Sequence, residues 1–254
     1  MTDNKTHDKP VAIVANASFY VGPDLARMLA KRGFDLVVGD PSPELASELP
    51  DLGADSWSVD GVTDLVKPKS APRLVDMAMD AYGRIDSVVF FSGQIVTGRF
   101  LDSTADDMAK AMSGCLDAVY RALRAFVPPL VAAGSGGQVL AITSAAGLKP
   151  TPGAPLYSAA RAGANMLVRN VAAEVASSGV QVNAVGTNYM DFDGFRAATG
   201  ADDSEVRARI EAGVPMGRLG TMEEFAEFCG GFVDGTSRFQ TGQIVGYDGG
   251  WSAF

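Results

Sequence analysis

The chain has 254 residues, with 30 acidic against 21 basic side chains, two cysteines and one histidine. A net charge of −9 argues against a nucleic-acid phosphate surface, and Cys115 and Cys229 alone cannot build a disulfide framework. The histidine, His7, lies in a polar leader (residues 1–10) expected to fray. With it go imidazole-based hydrolases and most zinc sites, which leaves a phenol, an amine or a carboxylate for acid–base chemistry. No apolar run reaches the ~18 residues of a membrane span, and the polar N-terminus shows no secretory signal. The expectation is a cytoplasmic protein without metal.

From residue 11 onward, short β-branched runs alternate with longer helical patterns. VAIVAN (11–16) reads as a buried strand, residues 23–33 as a helix with proline in its first turn and glycine past its end, and DLVVGD (35–40) as a second strand. Residues 41–54, with three prolines, read as irregular. A short strand at 56–60, a helix at 71–83 and a strand at 85–93 follow. A long helix is expected over 104–133, a strand over 136–144, another long helix over 155–178 and a strand over 180–186. Shorter helices near 202–213 and 221–234 precede a last strand at 243–247. This alternation predicts one α/β domain, residues 11–254, with a Rossmann-like doubly wound parallel sheet of about seven strands and helices on both faces. Ligands in such sheets bind beyond the carboxyl ends of the strands.

Both long helices are apolar around much of their circumference, so each is covered on more than one side. One side is the sheet. The other is either a second subunit or the interior of a monomer.

Ser144 ends a strand, Tyr157 follows, and Arg161 comes one helical turn later on the same face. A phenol is a poor base near neutrality, its reference pKa being about 10. A guanidinium about 4 Å away favours the phenolate by up to about 4 kcal/mol at an effective dielectric near 20. Ser144, Tyr157 and Arg161 are therefore the candidate catalytic residues.

The string ITSAAG followed by Y-x-x-x-basic resembles the short-chain dehydrogenase/reductase superfamily, as do VNAV at 182–185, RLGTMEEFAEF at 218–228 and TGQIVGYDGG at 241–250. Departures from that family concentrate at its cofactor contacts. The glycine-rich loop reads Ala15-Asn16-Ala17-Ser18-Phe19-Tyr20-Val21-Gly22, Arg161 replaces a lysine, Thr187-Asn188 replaces Pro-Gly, and Ser113 replaces an asparagine. Retention of Ser-Tyr-Arg with an aromatic-x-Gly loop resembles the halohydrin dehalogenases, a cofactor-independent branch of the fold.

That resemblance implies a carbon–halide lyase. It would close vicinal halohydrins to epoxides and, in reverse, open epoxides with halide, azide, cyanide or nitrite. It implies no cofactor, a homotetramer, no nucleic-acid or membrane partner, and a halide pocket of Tyr20, Thr187, Asn188, Tyr189 and Met190. Gln94, Ile95, Val96, Leu148, Phe192 and Phe195, with Ser92, are placed as substrate walls, and residues 191–200 as a mobile lid. Trp251 either anchors the C-terminus or covers a pocket, including one in a neighbouring subunit. Two alternatives stay open. One is an NAD(P)-dependent short-chain reductase with an atypical nucleotide loop, favoured by Asp40 and Asp60, which stand where the family meets adenosine. The other is a non-catalytic protein that keeps the fold.

Overall fold

The computed structural model describes residues 7–253. The apolar runs become β1 (Val11–Val14), β2 (Asp35–Gly39), β3 (Ser56–Val59), β4 (Ser87–Phe91), β5 (Gly137–Ser144), β6 (Val180–Thr187) and β7 (Ile244–Tyr247). All pair in parallel, in the order β3-β2-β1-β4-β5-β6-β7. The helices are α1 (Gly22–Lys31), α2 (Pro43–Glu48), α3 (Ser70–Tyr82), α4 (Ala105–Met112), α5 (Ala118–Ala133), α6 (Pro155–Val175), α7 (Asp193–Thr199), α8 (Ser204–Glu211) and α9 (Met222–Gly230). This is the Rossmann-like single domain expected from the alternation.

Strands buried on both faces explain the unbroken apolar runs. On one face Val11, Ile13, Val88 and Phe90 pack against Leu74 of α3, Phe126 of α5 and Val168 of α6. On the other, Ala12, Val14, Val89 and Leu140 pack against Leu25 and Leu29 of α1 and Phe225 of α9. Strand order reverses between β1 and β4, so the loops after these strands diverge and open a crevice at the carboxyl edge. β5 and β6 stay in register to their ends, which sets Ser144 beside Thr187.

Four local expectations change. Residues 41–54 hold α2, because Ser42 caps it by accepting the Leu45 N–H and Pro43 suits a first helical turn, with a 3-10 turn at Leu49–Leu52 after it. The helix over 104–133 is divided by a π segment, Ser113–Asp117, with the Cys115 thiol against the Gln94 carbonyl. Residues 191–200 contain α7, where Arg196 pairs with Asp191 and Asp202. Finally, residues 7–10 are tied down, whereas residues 1–6 lie outside the described residues.

The tie is the buried Asp35 carboxylate. It meets His7 Nε2 at 2.7 Å and Lys9 Nζ at 3.2 Å, and accepts the Asp55 N–H at 2.8 Å. Asp35 opens β2, so His7 sits at the amino edge of the sheet, opposite the crevice. No helix among the described residues is long and apolar enough to cross a membrane, and no cluster of His, Cys, Asp and Glu there could hold a metal ion.

Replacing Asp35 with Asn removes the buried charge that faces the Lys9 ammonium and accepts hydrogen bonds at this position. Asp35→Asn should lower unfolding free energy by about 1–3 kcal/mol. A shift of the urea midpoint at constant slope is the measurement that checks it.

Candidate active site

The crevice opens into a cleft of about 670 Å³ bordered by Asn16, Tyr20, Ser92, Ser144, Tyr157 and Arg161. Each side chain arrives from the end of a strand or the first turns of a helix. Ser144 is buried at the end of β5, where its Oγ accepts the Ala146 N–H at 3.1 Å and faces the Thr187 carbonyl at 3.5 Å. Pro155 starts α6, which places Tyr157 in its first turn and Arg161 one turn deeper, both buried. The three residues picked out by spacing therefore do border one cleft.

Their geometry differs from the simplest expectation. The Arg161 guanidinium carbon lies 5.2 Å from the centre of the Tyr157 ring, so the cation rests over the ring face. Such a contact is worth about 0.5–2 kcal/mol. Arg161 Nη2 also donates to the Ser92 carbonyl. That approach requires the glycine at 93, since a Cβ there would fall 2.0 Å from Arg161 Nη2.

Tyr20, Thr187, Asn188, Tyr189 and Met190 gather on the same cleft, as do Gln94, Ile95, Phe192 and Phe195. Val96 and Leu148 do not. Val96 packs against the small cluster of Ala111, Cys115 and Ala160 and lines a separate cavity with Pro155 and Leu156, and Leu148 lines a groove with Lys149 and Pro150. Thr151, Ala154, Phe19, Thr63 and Val66 border the cleft without having been singled out. Phe19 lies within the atypical loop motif and was legible. Thr151 and Ala154 lie in a loop whose path only the folded chain defines. Asn188, Tyr189 and Met190 also line a second cavity of about 410 Å³ with Tyr247 and Arg218. Trp251 meets Tyr189 edge to face at 6.1 Å and carries Lys149 over its ring, so within its own chain it anchors the C-terminal turn.

Tyr20 decides how the crevice is used. It takes a left-handed backbone, φ 56°, at a position where the family carries glycine, and its ring is packed edge to face on Phe91 and Phe192. Its hydroxyl is 2.8 Å from Thr187 Oγ1. The ring thus spans from the loop after β1 to the end of β6. Burial pushes this phenol well above the usual tyrosine range, so it stays protonated and offers no second base. Tyr189 and Asp40 are also left-handed, at φ 55° and 50°. All three non-glycine outliers lie at the carboxyl edge, where strain marks sites held by their surroundings.

A dinucleotide crossing this crevice would need the loop glycines, the acid after β2 and a basic ribose contact. The surviving Gly22 serves packing, since a Cβ there would fall 1.8 Å from the Asn16 carbonyl oxygen. The Asp40 carboxylate accepts the Gly61 N–H on one oxygen and the Val62 and Thr63 N–H groups and the Thr63 hydroxyl on the other, so it is engaged by its own turn. Arg161 is held on Ser92, and Tyr20 crosses the path. With these side chains in place the residues do not fit the dinucleotide in the family's manner.

The sequence profile of the family described as enoyl-(acyl carrier protein) reductase matches residues 18–252. A cis-4-hydroxycyclohexanecarboxylate dehydrogenase of Sinomonas cyclohexanicum is 33% identical over 248 residues, covering 96% of each chain. A 3-oxoacyl-(acyl-carrier-protein) reductase of Chlamydia muridarum is 28% identical, covering 94% of this chain and 96% of its own. The crystal structure of acetoin dehydrogenase from Enterobacter cloacae superposes with a TM-score of 0.83 at 27% identity, covering 96% of each chain. These relatives are oxidoreductases by name, which overturns the expectation of a cofactor-independent halohydrin dehalogenase and lyase. The halide role of Tyr20 and the 187–190 loop belonged to that expectation.

Two outcomes test the geometry. Gly93→Ala should displace the Arg161 guanidinium and lower activity at the Tyr157 site at least tenfold (about 1.4 kcal/mol) while leaving the fold intact by circular dichroism. For Asp40, burial pushes the carboxyl up, but the bonds from Thr63, Gly61 and Val62 outweigh it and hold the group below the usual carboxylate range. A depressed folded value stabilises the protein above the unfolded value, near 3.9, and the contribution is lost as pH falls through the folded value. Asp40→Asn should therefore reduce the melting temperature at neutral pH, and the difference from wild type should shrink in acid below about pH 4.

The strand order, the Ser-Tyr-basic cleft and the match over residues 18–252 together identify the chain as a member of the short-chain dehydrogenase/reductase superfamily.

Proposed function

We propose that the protein is an oxidoreductase of this superfamily acting on a small, mainly apolar secondary alcohol or ketone. The observation that carries the reading is the placement of Tyr157 and Ser144 on one cleft whose remaining walls are largely apolar, among them Phe91, Ile95, Ile142, Phe192 and Phe195. Tyr157 exchanges a proton with the substrate oxygen, and Ser144 donates a hydrogen bond to that oxygen, leaving its weak contact to the Thr187 carbonyl. Arg161, with its guanidinium over the ring face, holds Tyr157 in place at the cleft. Two relatives are named for acetoin and for a hydroxycyclohexanecarboxylate, and both compounds are small secondary alcohols.

Oxidation or reduction at carbon needs a hydride carrier, which this superfamily draws from nicotinamide dinucleotides. In this chain Tyr20 must leave the crevice for one to enter. The Tyr20–Thr187 contact also favours a second reading, a binding protein that retains the fold without turnover.

One experiment separates them. NADH and NADPH affinities are measured for wild type and Tyr20→Gly, and each protein is assayed against small ketones such as acetoin and cyclohexanone. Tyr20→Gly should bind a dinucleotide at least tenfold more tightly than wild type, a gain of about 1.4 kcal/mol. Tyr157→Phe should cut turnover by about 10²-fold or more. Absence of dinucleotide binding and of turnover in both wild type and Tyr20→Gly would sink the oxidoreductase reading and select the second.

A further inference from the structure

The described arginines fall into contrasting environments. Arg27, Arg32, Arg84 and Arg218 are partly exposed, and each reaches a carboxylate. Arg161 is 4% exposed and, among the described residues, has no carboxylate within ion-pair distance. Only its Nη2 has a partner, the Ser92 carbonyl. Nε and Nη1 are buried with no acceptor, and the Ser92 hydroxyl is likewise buried and unpartnered. A guanidinium keeps its charge in proteins and presents five N–H donors. Buried charges are ordinarily paired, and buried donors are ordinarily bonded. Here the cation of the cleft has no carboxylate and two of its three guanidinium nitrogens have no acceptor, and unsatisfied donors lie on both Arg161 and Ser92.

We propose that Arg161 and Ser92 form the seat for a carboxylate group carried by the substrate, an inference that deepens the oxidoreductase reading and rests on it for the identity of the occupant. A carboxylate brings two oxygens and about four lone-pair directions, enough to meet the orphaned guanidinium nitrogens and the serine hydroxyl. Arg161 and Tyr157 border the same cleft one helical turn apart, so an alcohol oxygen on Tyr157 and a carboxylate on Arg161 belong to one small molecule. The orphaned nitrogens have no solvent contact, so the group enters as the adjoining segment gives way. That segment is exposed from Gly93 through Ile95, with Ile95 at 71% and Gly93 lying directly against the guanidinium.

The test is a binding measurement that needs neither dinucleotide nor turnover. Dissociation constants for cyclohexanecarboxylate, the neutral isostere cyclohexanecarboxamide and acetate are obtained by calorimetry. Cyclohexanecarboxylate should bind wild type at least about tenfold more tightly than the carboxamide, as expected for charge-assisted hydrogen bonds. Ser92→Ala should weaken the carboxylate several-fold without changing the carboxamide, and Arg161→Gln should erase the preference. Should Arg161→Gln fail to fold, the Ser92→Ala comparison decides alone. Equal affinity for carboxylate and carboxamide overturns the seat, as does a preference that survives both substitutions. Acetate binding as tightly as cyclohexanecarboxylate would mark a site for free small anions and overturn a substrate carboxylate. An intact preference without any dinucleotide-dependent turnover would leave the seat standing and remove the oxidoreductase reading instead.

Discussion

The catalytic end of this molecule is organised around one buried cation. Arg161 lies inside the carboxyl edge of the sheet with a carbonyl oxygen and an aromatic face as its neighbours. Removing a full charge from water is costly unless something fixed compensates it. That requirement reaches outward. It demands a glycine at 93, it holds the end of β4 against α6, and it seats Tyr157 at the mouth of the cleft. The same charge that strains the site makes its neighbourhood hospitable to negative charge.

A second constraint comes from Tyr20. Open α/β sheets bind ligands where strand order reverses, and here a tyrosine ring bridges that crevice from the first loop to the end of β6. The ring is held by Phe91 and Phe192 on a left-handed backbone. Opening the crevice would give up these contacts and a hydrogen bond. The chain thus keeps Ser144, Tyr157 and a basic residue on one cleft while a tyrosine ring bridges the crevice beside them. Asp40 shows the same redirection, because its carboxylate now braces the turn at Gly61–Thr63.

Much of this was legible in residue order. Runs such as VAIV and DLVV are continuous because both faces of a central parallel strand are buried, and the spacing of Ser144, Tyr157 and Arg161 follows from a strand end feeding a helix start. Other parts were not. Residues 41–54 form a helix because a serine cap and a first-turn proline outweigh the general signal of prolines as breakers. His7 is ordered because Asp35, distant in sequence, lies beneath it. Val96 and Leu148 do not line the cleft because loop paths depend on contacts with α4 and α6 that no local pattern encodes.

The halohydrin expectation illustrates the same division. It rested on which side chains had been lost from the nucleotide loop, and loss of contacts does not specify a reaction. The relatives along nearly the whole chain are oxidoreductases. By itself the sequence determined the layered α/β fold and the strand-end and helix-start spacing of Ser144, Tyr157 and Arg161, because periodicity and residue inventory are local properties. Only the tertiary structure decided that Arg161 is buried without a carboxylate, that Tyr20 reaches Thr187, and that Asp40 is already engaged. Burial and pairing are relations between segments far apart in the chain, and they exist only once the strands have come together.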